Sequence, residues 1–271
     1  LLPIYDKPMI FYPLSTLMLA GIQDILIISN KNDVNLFKNL FGNGSNFGIK
    51  LSYEIQEKPQ GIAQSFLIGK EFINDSPVTL ILGDNLFHGN ELINQLRKVS
   101  SKTKGAHLFA YPVSDPERYG VVEFTKKGKV LSIEEKPREP KSNYAITGLY
   151  FYDSTVCKKA ALIEPSSRNE LEISSINQLY LEEGSLKLEI MGRGMAWLDT
   201  GTSDSLHQAS SYIRTLQLRQ GLKIACPEEI AWRNGWINDT KVRELSVNKM
   251  GSGYGEYLLE LINRNNERII K

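Results

Sequence analysis

The sequence predicts a mixed α/β fold: a doubly wound, mostly parallel, Rossmann-like sheet with a β elaboration on one side and a helical C-terminal region. Three observations carry this reading. Helix and strand patterns alternate regularly through the first third, as in parallel strands joined by helical crossovers. The middle third changes to hairpin spacing, and after Gly221 the pattern is mostly amphipathic helix. We read residues 1–220 as one α/β unit and residues 221–271 as helices packed on it and on neighbouring subunits.

Taken in order, Met9 to Gly21 has apolar residues at helical spacing and a glycine stop. Ile25 to Ile28 is a short apolar run of the kind found in central strands. Val34 to Phe41 reads as a helix, ended by a glycine- and asparagine-rich loop. Leu51 to Ile55 alternates as a strand and leads into Gln56 to Gly61; a helix follows from Ile62 to Ile73. Val78 to Leu82 then reads as a strand buried on both faces, stopping at Gly83-Asp84-Asn85. With the helix before Ile25 preceding any strand, a first strand is expected upstream of Leu1. Right-handed crossovers place Gln56 to Gly61 and Gly83 to Asn85 on one edge of the sheet, lining one crevice.

Glu91 to Val99 is predicted helical and Ala106 to Tyr111 a strand. Val121 to Phe124 and Val130 to Ile133 form a hairpin about Lys126 to Lys129. Tyr144 to Tyr152 is a long aromatic and β-branched strand. Ser154 to Ile163 and Glu170 to Glu183 read as helices, the second with acidic residues in its first turn. Leu186 to Met191 and Met195 to Leu198 are short strands, and a long helix runs from Asp204 to Gln220. Pro227 to Arg233, Lys241 to Leu245 and Glu256 to Ile262 complete the helical region.

Composition excludes several classes of function. With 32 basic and 31 acidic residues the net charge is +1, which makes no electrostatic case for a nucleic-acid or membrane-surface partner. No apolar stretch is long enough to span a bilayer. Cys157 and Cys226 stand far apart and suggest no disulfide framework, so a reducing cytoplasm is expected. His88, His107 and His207 lack metal-ligand spacing.

Four sets of residues are candidates for chemistry. Asp84 and Asp199 each follow a short strand and stand among small residues; two such carboxylates suffice for Mg²⁺, which takes its other ligands from water and phosphate. Taken singly, each is equally a turn or helix-capping aspartate. Lys136, within Glu134 to Pro137, suits a sugar phosphate, and Glu135 suits sugar hydroxyls; the alternative is a solvated charge cluster. Gln56 offers the donor and acceptor that read a pyrimidine edge, beside Gly61; the alternative is a surface turn. Arg168 has a fork that can clasp a phosphate; the alternative is an ion pair with Glu170 or Glu172.

Seven stretches of the chain together resemble a known family: LLPIYDKPMI (1–10), YPLSTLMLAGI (12–22), LGDN (82–85), DPERYGVVEF (115–124), EEKP (134–137), YAITGLYFY (144–152) and WLDTG (197–201). They resemble bacterial glucose-1-phosphate thymidylyltransferase, a sugar nucleotidyltransferase, over residues 1 to about 257. The resemblance implies Mg²⁺-dependent formation of dTDP-glucose and pyrophosphate from dTTP and glucose 1-phosphate, the first step towards dTDP-rhamnose and other deoxysugars, in a cytoplasmic homotetramer. It implies a metal site of Asp84 and Asp199, with Asp84, Lys136 and Arg168 catalytic. Gln56 and Gly61 would bind thymine. Gly120, Ile146 and Glu135 would bind glucose, with Asn85 and Tyr150 shaping its pocket, and Lys136 and Arg168 would hold its phosphate. The segment Cys226 to Arg233 resembles part of the family's second, regulatory nucleotide site, where dTDP-sugars would bind. The family's glycine-rich triphosphate loop, GGxGTRL, has no counterpart in these 271 residues.

Overall fold

The computed structural model describes residues 2–101, 104–247 and 249–263. Leu1, where the resemblance begins, and residues 264–271 of the C-terminal region lie outside them. A short ribbon, β1 (Pro3–Ile4) with β2 (Lys7–Pro8), leads into α1 (Phe11–Leu19). Eight of the nine residues of α1 are buried, so this helix is an internal packing element and not a surface one. Gly21, with φ +85°, turns the chain out of the helix into β3 (Asp24–Ser29).

From β3 the chain crosses through α2 (Val34–Phe41) to β4 (Lys50–Ile55), which pairs parallel with β3, Ile25 against Leu51 and Ile27 against Tyr53. This is the crossover the alternation predicts. Ile25, Ile27 and Leu51 bury against Phe11, Leu14, Leu17 and Phe41 in one apolar cluster. The helix expected over 62–73 is broken into α3 (Gln64–Ile68) and α4 (Lys70–Ile73), with Gly69 between them. Gly69 packs close to β3: a Cβ there would stand 3.1 Å from Leu26 Cδ2.

β5 (Val78–Ile81) departs from the expected parallel arrangement. It pairs antiparallel with β10 (Tyr144–Tyr152), Leu80 against Tyr150 and Val78 against Tyr152. An apolar run reports that a strand is buried, not which strand lies beside it. The free edges of β3 and β5 line an apolar groove of about 740 Å³ with Leu17, Phe66, Phe72 and Ile73. Between β5 and the next helix lies β6 (Asn85–His88), a strand the sequence reading did not anticipate; α5 (Leu92–Ser100) follows.

The main sheet is mixed. β7 (Ala106–Pro112) pairs antiparallel with β10 on one edge and parallel with β11 (Leu186–Ile190) on the other. β8 (Gly120–Phe124) and β9 (Val130–Glu135) form the predicted hairpin, and β8 joins β10 at Ala145. The second edge of β10 thus changes partner along its length, from β5 at residues 149–152 to β8 at 145. Gly148 falls in this gap. Its carbonyl accepts from Leu82 N at 2.9 Å and its N–H donates to the Asn85 side chain at 3.1 Å.

α6 (Val156–Ala160) and α7 (Ile173–Glu182) cover one face of this sheet, packing Ala160, Ile173, Ile176 and Tyr180 on Leu108, Ala110 and Tyr152. α7 starts at Ile173, so Glu170 and Glu172 do not form its first turn; they belong to the loop before it. β12 (Ala196–Asp199) pairs antiparallel with β6, setting Asp199 opposite Asn85. Thr202 and Ser205 close a capping box that starts α8 (Ser203–Gln220). The C-terminal helices α9 (Pro227–Arg233), α10 (Asp239–Val247) and α11 (Tyr254–Asn263) share a core of Cys226, Val242, Tyr257, Leu258, Leu261 and Ile262. They return to the α/β unit through Ile230 and Ala231, which join the cluster under α1. No helix among the described residues is long and apolar enough to cross a membrane.

Candidate active site

A cleft of about 690 Å³ opens where β5, β9 and β12 end, beside the middle of β10, and where the loops before α3 and α7 meet. Every candidate named from the sequence lines it: Gln56, Gly61, Asp84, Asn85, Gly120, Glu135, Lys136, Ile146, Tyr150, Arg168 and Asp199. These come from seven separate segments of the chain, and only the fold brings them together.

The two aspartates converge. Asp84 follows β5 and Asp199 ends β12, and the β6–β12 pairing carries them side by side. A point one Cβ out from Gly201 lies 3.2 Å from Asp199 Oδ1 and 3.7 Å from Asp84 Oδ2. The turn that holds them is itself bonded: the Asp84 carbonyl accepts from Thr200 N at 3.0 Å and Thr200 Oγ1 at 2.7 Å. Gly201 N donates to Asp199 Oδ1 at 3.2 Å. Burial, and then the Asp84 charge, push the Asp199 carboxyl above its ordinary range; Arg118 and Lys136 pull it back without cancelling this. A pair of crowded carboxylates with no cation among the described residues bridging them suits a divalent ion completed by water and phosphate oxygens. No group of three or more His, Cys, Asp or Glu suited to a metal occurs among the described residues, so an ion held by these two carboxylates would be completed by water or substrate oxygens.

One side of the cleft is built on a loop clasp. Leu171 N donates to Gln60 O at 2.8 Å and Ala63 N donates to Leu171 O at 3.1 Å, tying the loop of Gln56 to Gly61 to the loop of Arg168. Gly61 has φ +100° and touches the Leu171 backbone so closely that no larger residue fits. Gln56 Nε2 donates to Gln64 Oε1 at 2.7 Å and to Gly61 O at 3.4 Å, which fixes the amide across the mouth of the cleft.

The other side of the cleft is built on the β8–β9 hairpin. Gly120 stands opposite Glu135 in the register, and the Lys136 N–H donates to Tyr119 O at 3.0 Å. Lys136 takes a left-handed backbone with φ +43°, uncommon for a residue other than glycine and a form of local strain found at functional sites. Burial is the main influence holding the Glu135 carboxyl above its ordinary range, and Glu172 adds to it. Arg168 forks onto Glu172, Nε to Oε1 at 3.2 Å and Nη2 to Oε2 at 2.8 Å, with Glu135 at 3.6 Å and Glu170 at 3.7 Å. Arg168 is therefore both ion-paired and in the cleft. Tyr150 is buried, its ring parallel to that of Tyr152.

The cleft also contains Arg118, Tyr119, Ser174, Asn177 and Trp197, which the sequence reading did not single out. Trp197 carried a usable signal: it lies two residues before Asp199 on one strand, and period two puts both side chains on one face. A second, smaller cleft of about 190 Å³ is lined by Cys226, Glu229, Ile230 and Arg233 together with Leu19 and His88.

Paired carboxylates sharing a cleft at strand ends with a lysine and an arginine are arranged for phosphate chemistry, and the comparison with known proteins says of which kind. The nucleotidyl transferase family matches residues 1–215, most of the chain, and defines the class. Within that class the chain belongs to the glucose-1-phosphate thymidylyltransferase family. It is 55% identical over 264 residues to the glucose-1-phosphate thymidylyltransferase of Neisseria meningitidis serogroup A, covering 97% of this chain and 92% of that one. It is 53% identical to the Mycolicibacterium smegmatis protein of the same name, over 97% of this chain and 91% of that one. A Bacillus anthracis structure assigned the same name and crystallised with sucrose superposes with a TM-score of 0.73 at 38% identity, over 79% of this chain and 85% of that one. A UDP-glucose pyrophosphorylase in complex with UDP-glucose, at 23% identity, shares the fold with a TM-score of 0.70 over 79% of this chain and 89% of that one. The chain is accordingly an enzyme of the nucleotidyl transferase class.

Proposed function

We propose that this chain transfers a thymidylyl group from dTTP to α-D-glucose 1-phosphate, with Mg²⁺, forming dTDP-glucose and pyrophosphate. The observation that carries the reading is the meeting of Asp84 and Asp199 beside Gly201, in one cleft with Lys136 and Arg168. A phosphate oxygen of glucose 1-phosphate attacks the α-phosphorus in line. The bond from that phosphorus to the α,β-bridging oxygen breaks, and its electron pair leaves with pyrophosphate. No proton has to move and no covalent enzyme intermediate is needed, so the protein's task is alignment and charge neutralisation.

Each residue has a part in that task. Gln56 and the Gly61 backbone meet the thymine edge. Glu135 accepts from sugar hydroxyls, and the backbones of Gly120 and Ile146 border the same ring, in a pocket shaped by Asn85 and Tyr150. Lys136 and Arg168 hold the sugar phosphate as it approaches. Asp84 and Asp199 would hold the Mg²⁺, which when bound supplies positive charge to the α-phosphate and the leaving pyrophosphate. The setting we propose is a cytoplasmic homotetramer.

Pyrophosphate release measured with dTTP, glucose 1-phosphate and Mg²⁺ tests the reading, with UTP and other sugar 1-phosphates as parallel arms. Release with dTTP and glucose 1-phosphate at the highest kcat/KM supports it. A higher kcat/KM with UTP would reassign the base, because a glutamine amide reads thymine and uracil alike and only the methyl contact separates them. No release with any pair would refute it.

A further inference from the structure

Resting on that reading, we propose that Asn85 is a positioning residue for the metal-binding carboxylate of Asp84, and that Trp197 and Gly148 set its orientation. Asn85 is 3% exposed and every polar group of its side chain is engaged. Trp197 Nε1 donates to its Oδ1 at 2.6 Å, and Gly148 N donates to the same oxygen at 3.1 Å. Its Nδ2 donates to Asp84 Oδ1 at 2.9 Å. Two N–H donors on one side and a carboxylate on the other allow the amide only one orientation.

The consequence falls on Asp84. With one lone pair of Oδ1 taken by Asn85, Oδ2 is the less engaged Asp84 oxygen, and it is the one that lies 3.7 Å from the Cβ position of Gly201, where Asp199 Oδ1 stands at 3.2 Å. Asn85 thus decides which lone pairs of Asp84 face the metal. The anchor is rigid. Asn85 enters the sheet where β10 changes partner, and Gly148 leaves room for it: a Cβ there would stand 2.6 Å from Asn85 Oδ1. The Trp197 indole is buried, and Tyr119 and Tyr111 pack edge-on against it at 5.2 and 6.1 Å. Because Trp197 also lines the cleft, a hydrogen-bonded chain from Trp197 through Asn85 to Asp84 joins the wall of the cleft to the metal carboxylate.

The test is Mn²⁺ binding, followed by electron paramagnetic resonance of the free ion, in protein without nucleotide. The variants are Asn85→Ala, Trp197→Phe and Asp84→Asn. Trp197→Phe keeps an aromatic ring in the packing and deletes the indole donor together with part of the ring volume. Partners of metal ligands commonly contribute about 10–100-fold to metal affinity, so Asn85→Ala is expected to weaken Mn²⁺ by that factor and Trp197→Phe by about 3–10-fold. In Trp197→Phe, which leaves the proposed sugar-pocket residues in place, KM for glucose 1-phosphate at saturating Mn²⁺ should move less than the metal affinity does, a split that general loosening of the fold would not give. Wild-type Mn²⁺ affinity in Asn85→Ala and Trp197→Phe, alongside loss in Asp84→Asn, would overturn the positioning role and leave the metal site standing. Wild-type affinity in Asp84→Asn as well would overturn both.

Discussion

Gly61 and Leu171 touch through their backbones: a Cβ on Gly61 would stand 2.4 Å from the Leu171 carbonyl oxygen and 2.6 Å from its nitrogen. This contact joins the loop proposed to read the base to the loop that carries Arg168. Gly61→Ala meets two penalties, a steric clash and a φ of +100° that L-residues avoid. Strain of this kind costs of order 1–3 kcal/mol before the clash is added. The expected outcome is a lower thermal midpoint together with a raised KM for both dTTP and glucose 1-phosphate, because displacing one loop displaces the other. Unchanged stability and unchanged KM values would mean the two loops move independently.

Asp199 shows a conflict between folding and function. Burial and the neighbouring Asp84 oppose its ionised form, while the proposed reaction needs it ionised. Asp199→Asn removes a charge the apo fold tolerates poorly. Turnover is expected to fall about 10²–10³-fold, the scale for losing a group that stabilises transition-state charge. The thermal midpoint in EDTA should not fall. Mg²⁺ with dTTP should raise that midpoint in the wild type, as any ligand of the native state does, and much less in the variant. An equal rise in both proteins would remove Asp199 from the metal site.

Glu135 predicts a pH dependence in which stability and activity run in opposite directions. Burial chiefly holds its carboxyl above the ordinary value of 4.5. Between 4.5 and the raised value the native protein holds a proton the unfolded chain has released, so this group's contribution to stability is present below 4.5 and is lost as pH rises through the folded value. Hydrogen bonds from sugar hydroxyls need the carboxylate, so kcat/KM for glucose 1-phosphate should rise over the same interval. Glu135→Gln should flatten this limb of both profiles and cost about 10–100-fold in kcat/KM, the scale of a charged hydrogen bond. A limb that persists unchanged in Glu135→Gln would belong to another group.

Much of this site was legible in the chain because strand ends and turn glycines announce themselves locally. Val78 to Asn85 reads as a strand stopping at a carboxylate, Gly61 as a turn, and Glu134 to Pro137 as a rigid loop after a hairpin, and all three line the cleft. Partnership was not legible. The antiparallel pairing of Val78–Ile81 with β10, and the short β6 that follows, depend on contacts across more than sixty residues of sequence. The indole hydrogen bond from Trp197 to Asn85 spans 112 residues, and no local spacing encodes it. Glu170 and Glu172 misled in a different way. As helix-start residues they fitted a dipole argument that fails, whereas their pairing with Arg168, the alternative the sequence offered, is what the structure holds.

Arg168 offers the sharpest separation of a structural role from a functional one. Its guanidinium holds Glu172 through two nitrogens, with Glu135 and Glu170 close by, so it is already a paired residue before any substrate enters. A surface ion pair alone contributes little, with a median near 0–1 kcal/mol. If Arg168 also holds the sugar phosphate, Arg168→Lys should lower kcat/KM for glucose 1-phosphate about 10–100-fold, because a lysine keeps the charge but not the planar fork. Arg168→Ala should lose more, through charge as well as geometry. Inhibition by inorganic phosphate, competitive against glucose 1-phosphate, distinguishes the two roles. Its inhibition constant should rise in parallel with the catalytic loss in both variants. A shifted thermal midpoint with an unchanged phosphate constant would confine Arg168 to bracing Glu172 and leave Lys136 to meet the phosphate alone.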